Sequence, residues 1–397
     1  MKKILYIVLI SSVVLLQFVF GNIHIFAKGQ DEWISSSGRW WYSFSDGSYA
    51  KSEYIDGYWL DSEGWYDSAW NGSWKHNKTG WWFQSGSWYP KSEWLRIDKK
   101  WYHFDASGYM DTAKWIDGYY VGSDGAWNPD KKNEWKVTSY ASVTGNQSMF
   151  YAIEDASGSL ILIDGGYVAD AEQVKKVISA HDNHVSAWII THPHPDHAGA
   201  FNKIMSDRGN IVVDNIYVTD VNYDRYKETA QDYDGFSTCE TYWEIIKSLN
   251  NATTLKEGDE LQLLGLSMKV LHGWDSGVDK LSSNLCNNGS LMFTVSGTKD
   301  SMLFCADTES KVENDIISRH ASELSNIKYV QAGHHGNWGL TTKFYDYISS
   351  PEKVFFDSTN ALYMSDAYDA SKLRTYFSNR GVSVVNFSTA PNTVTLE

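Results

Sequence analysis

From Lys136 onward, apolar residues gather into short continuous runs separated by polar turns. "SMFYAIED" and "SLILIDGG" read as strands joined by a turn at "ASG". "DAEQVKKVISAHD" has helical spacing instead, with Val174, Val177 and Ile178 on one face. "VSAWIITHPHPDHAGAFNKIM" predicts a strand, a loop and the start of a helix. Further strands fall at "LQLLGLSMKVLHG", "SLMFTVSG" and "SMLFCAD", and a helix at "KVENDIISRH". "IKYVQAGHHG" and "KVFFDST" are strands with polar tips. This alternation predicts an α/β domain, with polar residues collecting just past strand ends, where sites on sheets form.

The chain before Lys136 follows another pattern. Of its 19 tryptophans, 15 lie at or before Trp135. "WWYSFSDGSYAKSEY" (Trp40 to Tyr54) returns as "WWFQSGSWYPKSEW" (Trp81 to Trp94), and "YIDGYWLDSEGW" returns as "WIDGYYVGSDGAW". Such self-similarity marks a repeat array. Short aromatic strands broken by "DG", "EG" or "SG" predict hairpins that must stack to bury their faces. Most of the rings should therefore be the array's own core. Rings left at the seams could bind quaternary ammonium groups or sugar faces. Repeats over 33–127, a polar linker over 128–135 and the α/β domain over 136–397 are the expected divisions.

The first residues differ again. Lys2 and Lys3 precede the apolar run Ile4 to Phe20, which predicts a secretory signal over 1–27 or an uncleaved anchor. No other segment is apolar enough to span a membrane. A net charge of −15 over 397 residues argues against a nucleic-acid partner, which needs a basic footprint. Cys239, Cys286 and Cys305 form no disulfide framework and read as small buried residues.

The densest chemistry is "THPHPDHAGA", Thr191 to Ala200. His192 and His194 can converge on one point if the loop curls, leaving Asp196 and His197 around a second. Imidazole and carboxylate suit zinc and similar divalent metals. Pro193 and Pro195 stiffen the loop, and Gly199 should permit a close turn into the next helix. Two distant features could complete the site. "LFCAD" delivers Asp307 at a strand end, and "QAGHHGNWG" presents His334 and His335 between glycines. His272 is the only histidine between His197 and Asp307, and is either a further ligand or an ordinary strand-end histidine. His24, His76, His103, His181, His184 and His320 attract no such role.

Two resemblances sharpen this picture. "WLRIDKKWYHFDASGYMDTAKW" (Trp94 to Trp115) resembles the choline-binding, or cell-wall-binding, repeats of Gram-positive surface proteins. The likeness implies attachment to choline-bearing teichoic acid or a related wall glycan. It implies ligand contacts from Trp94, Trp101, Tyr102, Trp115 and Tyr120.

"LIDGG", "HPHPDH", Asp307 and "AGHHG" together resemble the metallo-β-lactamase fold hydrolases. "NNGSLMF" narrows the likeness to the branch of competence-protein-like hydrolases and the pneumococcal phosphorylcholine esterase. The resemblance implies an αββα fold and two zinc ions. One would be held by His192, His194 and His272, the other by Asp196, His197 and His334, with Asp307 bridging. Asp164 would support the site without binding metal. Asp196 and His335 would act in catalysis, His335 by facing the substrate or by supporting His334. The implied function is a secreted, wall-associated phosphodiesterase. β-Lactam, lactone or nucleic-acid hydrolysis on the same fold, or a non-enzymatic adhesin, are the alternatives.

Overall fold

Asp56 and Gly57 both have positive φ, 53° and 82°, the backbone a two-residue type I′ hairpin turn requires. They join Glu53–Ile55 to Tyr58–Leu60. Ser37 and Gly38 do the same between Glu32–Ser36 and Arg39–Ser43. Asp98 and Lys99 do so between Glu93–Ile97 and Lys100–Phe104. The computed structural model describes residues 31–116 and 118–397. The expected signal over 1–27 lies outside the described residues.

The described chain forms two compact units, the first ending at Met110 and the second beginning at Asp111. In the first unit the hairpins share a core of Tyr54, Phe83, Leu95, Ile97 and Phe104. Most of its aromatic residues are thus used in packing. The hairpin Lys114–Ile116 and Tyr119–Val121 belongs to the second unit, although its sequence repeats that of the first. Asn133 Nδ2 and Trp135 Nε1, from the stretch around the expected linker, both donate to the Leu264 carbonyl, at 3.3 and 2.9 Å.

The second unit holds two seven-stranded mixed sheets. The first runs, edge to edge, Ala252–Leu255, Val212–Thr219, His184–Ile190, Leu160–Asp164, Phe150–Glu154, Trp135–Ser139 and Asn392–Leu396. The second runs Glu260–Leu263, Leu266–His272, Met292–Ser296, Ser301–Phe304, Tyr329–Gln331, Lys353–Phe355 and Ser383–Val385. Tyr151, Ile163 and Ile189 of one sheet meet Val270, Phe293 and Phe304 of the other in a common core. Each fully buried aliphatic or phenyl side chain there stabilises the fold by about 1.5–3 kcal/mol.

The outer faces carry helices. Val174 and Ile178 of Ala171–Ser179 and Phe201 of Pro195–Ser206 cover the first sheet. Ile316 of Ser310–Leu324 and Phe377 of Asp369–Asn379 cover the second. The result is the αββα sandwich expected from the resemblance. Among the described residues, no helix is long and apolar enough to cross a membrane.

Candidate metal centre

The strands that deliver chemistry each run parallel to at least one neighbour and end on one rim. His184–Ile190 pairs in parallel with Leu160–Asp164, and Ser301–Phe304 with Tyr329–Gln331. Loops just past such strand ends are where α/β sheets bind ligands.

His192 and His194 follow the first of these strands. His194 caps the helix Pro195–Ser206, Pro195 takes its first position, and Asp196 and His197 fall in the first turn. Proline is pre-set for that position and loses no needed hydrogen bond there. Gly199 does not form a turn, as its sequence context had suggested. It lies inside the helix, where an added Cβ would stand 2.5 Å from the Val168 nitrogen. Its role is close approach of the helix to the loop after Leu160–Asp164.

Asp307 follows Ser301–Phe304, and its backbone N–H donates to the Ser290 hydroxyl at 3.3 Å. His334 and His335 both sit in the left-handed region, at φ 50° and 57°. The neighbouring glycines permit this tight turn: a Cβ on Gly339 would lie 2.3 Å from the Gly333 oxygen.

These loops gather two groups of ligand atoms. Asp196, His197, Asp307 and His335 place one ligand atom each within 4.8 Å of the others. His192, His194 and Cys286 form the second such group. Asp307 links them: its carboxylate stands 3.2 Å from His197 Nε2, 3.4 Å from His335 Nε2 and 3.8 Å from His192 Nε2. His335 Nε2 also lies 3.2 Å from Asp196 Oδ2. Yet Nε2 of His192, His194, His197 and His335, and Oδ1 of Asp307, are buried without a hydrogen-bond partner. Buried polar atoms are rarely left so. Converging orphan nitrogens and a carboxylate oxygen fit a divalent metal.

The other site residues sit as follows. Asp164, wholly buried, accepts from the Thr191 N–H and hydroxyl at 2.7 Å each and lies 2.7 Å from His197 Nδ1. That contact turns Nε2 of His197 toward the cluster, as carboxylates behind ligating histidines do. His334 stands beside the group rather than in it, with Nε2 3.8 Å from Asp307 Oδ2. With both residues on a left-handed turn, it is the second histidine of the pair whose ring enters the cluster.

His272 joins neither group. Its Nε2 lies 2.6 Å from the Asn288 carbonyl, beside a register shift between Val270 and His272 that re-aims the strand end. Cys286 and Asp234, whose Oδ1 is 3.5 Å from His194 Nε2, had no sequence signal pointing to the site. Cys286 packs in the fold among apolar residues, and Asp234 ends the short 3-10 turn Asp232–Asp234, far along the chain from His194.

Charge in the cluster is tightly linked. Burial opposes ionisation of Asp307, but His197, His335 and His334 outweigh it and hold the carboxyl well below its ordinary range. Burial likewise opposes charge on His335, but Asp307 and Asp196 hold it up to about 10. His197 is raised well above its ordinary value against burial, by Asp307 and Asp164. His192 moves the other way, well below, through burial and the neighbouring His197 and His194.

A metal must displace the protons on His197 and His335, since ligating imidazole is neutral. Apparent metal affinity should therefore rise with pH up to about 10, and uptake should release protons. Calorimetry of zinc binding in buffers of different ionisation enthalpy checks this; binding with no proton release would contradict it.

Two facing sheets with a histidine–aspartate cluster at their strand ends make an arrangement fitted to hold metal. The sequence profile of the metallo-beta-lactamase superfamily matches residues 143–355, and that of the choline-binding repeat matches residues 89–127. The chain belongs to the metallo-β-lactamase superfamily and carries a choline-binding repeat. Similar solved structures include the metallo-beta-lactamase fold protein YhfI from Bacillus subtilis, at 11% identity and TM-score 0.42, covering 66% of this chain and 99% of that one. CmlA, a diiron beta-hydroxylase from Streptomyces venezuelae, matches at 12% identity and TM-score 0.42, over 68% and 55% of the two chains. The choline binding domain of Spr1274 from Streptococcus pneumoniae matches at 21% identity and TM-score 0.14, over 27% and 99%. No curated protein matches.

Proposed function

We propose that the protein is a secreted, wall-associated, zinc-dependent phosphodiesterase acting on choline-bearing wall polymers of a Gram-positive bacterium. The observation that carries this reading is the orphaned ligand cluster in a chain that also holds a choline-binding repeat. Asp196, His197, Asp307 and His335 would hold one metal, and His192 and His194 the other. Bound zinc supplies Lewis acidity and an activated water.

The chain's own residues do the rest. Asp164 fixes the His197 ring through Nδ1. Asp307, held ionised, keeps the two groups in register. His334 is the most exposed of the site histidines, at 23% for its side chain, and burial still holds it below its ordinary value. As a neutral imidazole beside the cluster it is suited to donate a hydrogen bond to a phosphoryl oxygen. This is the substrate-facing role that the sequence suggested for His335.

The repeats would tether the enzyme to its substrate and raise the local concentration. Of the aromatics expected to bind ligand, Tyr102 packs edge-on against Trp74, and Trp115 against Tyr120. Trp94 packs against His103, and Trp101 is exposed. A separate cup is lined by Trp33, Trp40, Tyr58 and Tyr66, with Trp40 and Tyr58 exposed. Several electron-rich faces around one opening suit a quaternary ammonium, worth roughly 0.5–2 kcal/mol per ring.

Trp40→Ala should therefore elute from a choline resin at several-fold lower free choline than the parent protein. Unchanged elution would remove this cup from the anchoring surface. Hydrolysis is tested by giving the zinc-loaded protein a phosphocholine ester, a bis-aryl phosphate and a β-lactam in parallel. Turnover of the phosphoesters alone is expected; turnover of the β-lactam alone would overturn the proposal.

A further inference from the structure

Cys286 is wholly buried, and a buried thiol in apolar surroundings needs no function. It packs with Val221, Tyr226, Trp274 and Val278. Cys239 shares that cluster and is equally a free, buried thiol. The two differ in one respect. Cys286 lies at the edge of the cluster nearest the site, with its sulfur within 4.8 Å of ligand nitrogens of both His192 and His194.

Nε2 of both histidines is buried and has no hydrogen-bond partner. The two nitrogens and the sulfur thus converge, with neither nitrogen held in a hydrogen bond and the sulfur facing the Tyr226 hydroxyl besides. His272, the residue expected to complete this set, is instead engaged with the Asn288 carbonyl.

We infer that Cys286 is the third protein ligand of the metal held by His192 and His194. The inference rests on the metal-dependent reading of the site and adds a sulfur to it. A tetrahedral zinc holds its nitrogen and sulfur ligands about 3.3–3.8 Å apart, given bonds of roughly 2.0 and 2.3 Å. Side-chain adjustments of about 1 Å would close the set on that geometry. On ligation the thiol proton leaves to solvent and sulfur binds as thiolate.

The two metal positions then differ in kind. Asp196, His197, Asp307 and His335 offer only nitrogen and oxygen, which suit zinc, iron or manganese. A thiolate beside two imidazoles favours zinc over manganese or iron. The chain would thus fix zinc in one position and tolerate other divalent ions in the second.

X-ray absorption at the zinc edge of the full-length wild-type protein tests this without altering the fold. A sulfur scatterer at about 2.3 Å, one for every two zinc ions, is the expected result. In the cobalt-loaded protein, the near-ultraviolet thiolate-to-cobalt band should be present. It should be lost in Cys286→Ser and kept in Cys239→Ser. Metal bound through nitrogen and oxygen alone would overturn the inference and leave the hydrolase reading intact. A protein that binds no metal would overturn both.

Discussion

Asp307→Ala should abolish hydrolysis, with a fall of roughly a hundred- to a thousand-fold or more, the scale on which one preorganised electrostatic group acts. The reason is its position. Its carboxylate is buried, held ionised by three histidines, and within 3.8 Å of His192, His197, His334 and His335. It is the one carboxylate that reaches the ring Nε2 atoms of both ligand groups among the described contacts. Removing it leaves only Asp164 beside His197 and Asp196 beside His335 to hold their protons, and takes a carboxylate from between the two ligand groups. Metal content by mass spectrometry should fall together with activity. Full activity in this variant would remove Asp307 from the site. Asp307→Asn keeps the shape and should lose nearly as much, which separates charge from packing.

Asp164 should produce the second large effect, and by a different route. It touches no reacting group, yet one carboxylate receives Thr191 twice and His197 Nδ1 once. Its backbone is left-handed, with φ 52°, a conformation that asparagine and aspartate tolerate better than other non-glycine residues. Asp164→Asn keeps the backbone and the volume but loses the charge behind His197. Metal affinity should fall about 10- to 100-fold, as it does when such supporting partners are changed. Asp164→Ala adds the loss of a buried charge partner and a strained backbone, at a cost of about 3–5 kcal/mol. It should unfold at clearly lower denaturant than Asp164→Asn. Equal metal affinity in wild type and Asp164→Asn would show that His197 needs no such support.

Much of this was legible in the sequence because it is local. Alternating strands and helices, the "DG" hairpins and the loop from His192 to His197 all follow from spacing and turn chemistry within a few residues. Asp307 and the Asp164 turn were legible too, because each ends a clear apolar strand. What escaped depends on three-dimensional direction. His334 and His335 are neighbours on a left-handed turn, and no periodicity tells which ring enters the cluster. The shift at Val270 to His272 turns that histidine toward the Asn288 carbonyl, and a bulge of this kind leaves no signature in "KVLHG". Cys286 reads as one of three small buried thiols without a disulfide framework, because the histidines it faces arrive from another loop. The hairpin 114–121 repeats the earlier units but belongs with the sandwich, its Gly118 lying close against Gly265 and the Leu264 carbonyl.

The first sheet is completed by pairing Trp135–Ser139 with Asn392–Leu396. The earliest and latest strands of the sandwich therefore depend on each other. A chain emerging from the ribosome or a membrane channel cannot make that pairing until its final strand has appeared. Pairing across so long a stretch is slow compared with local hairpin closure. The aromatic hairpins can close while the rest is still emerging, whereas the catalytic sandwich must wait.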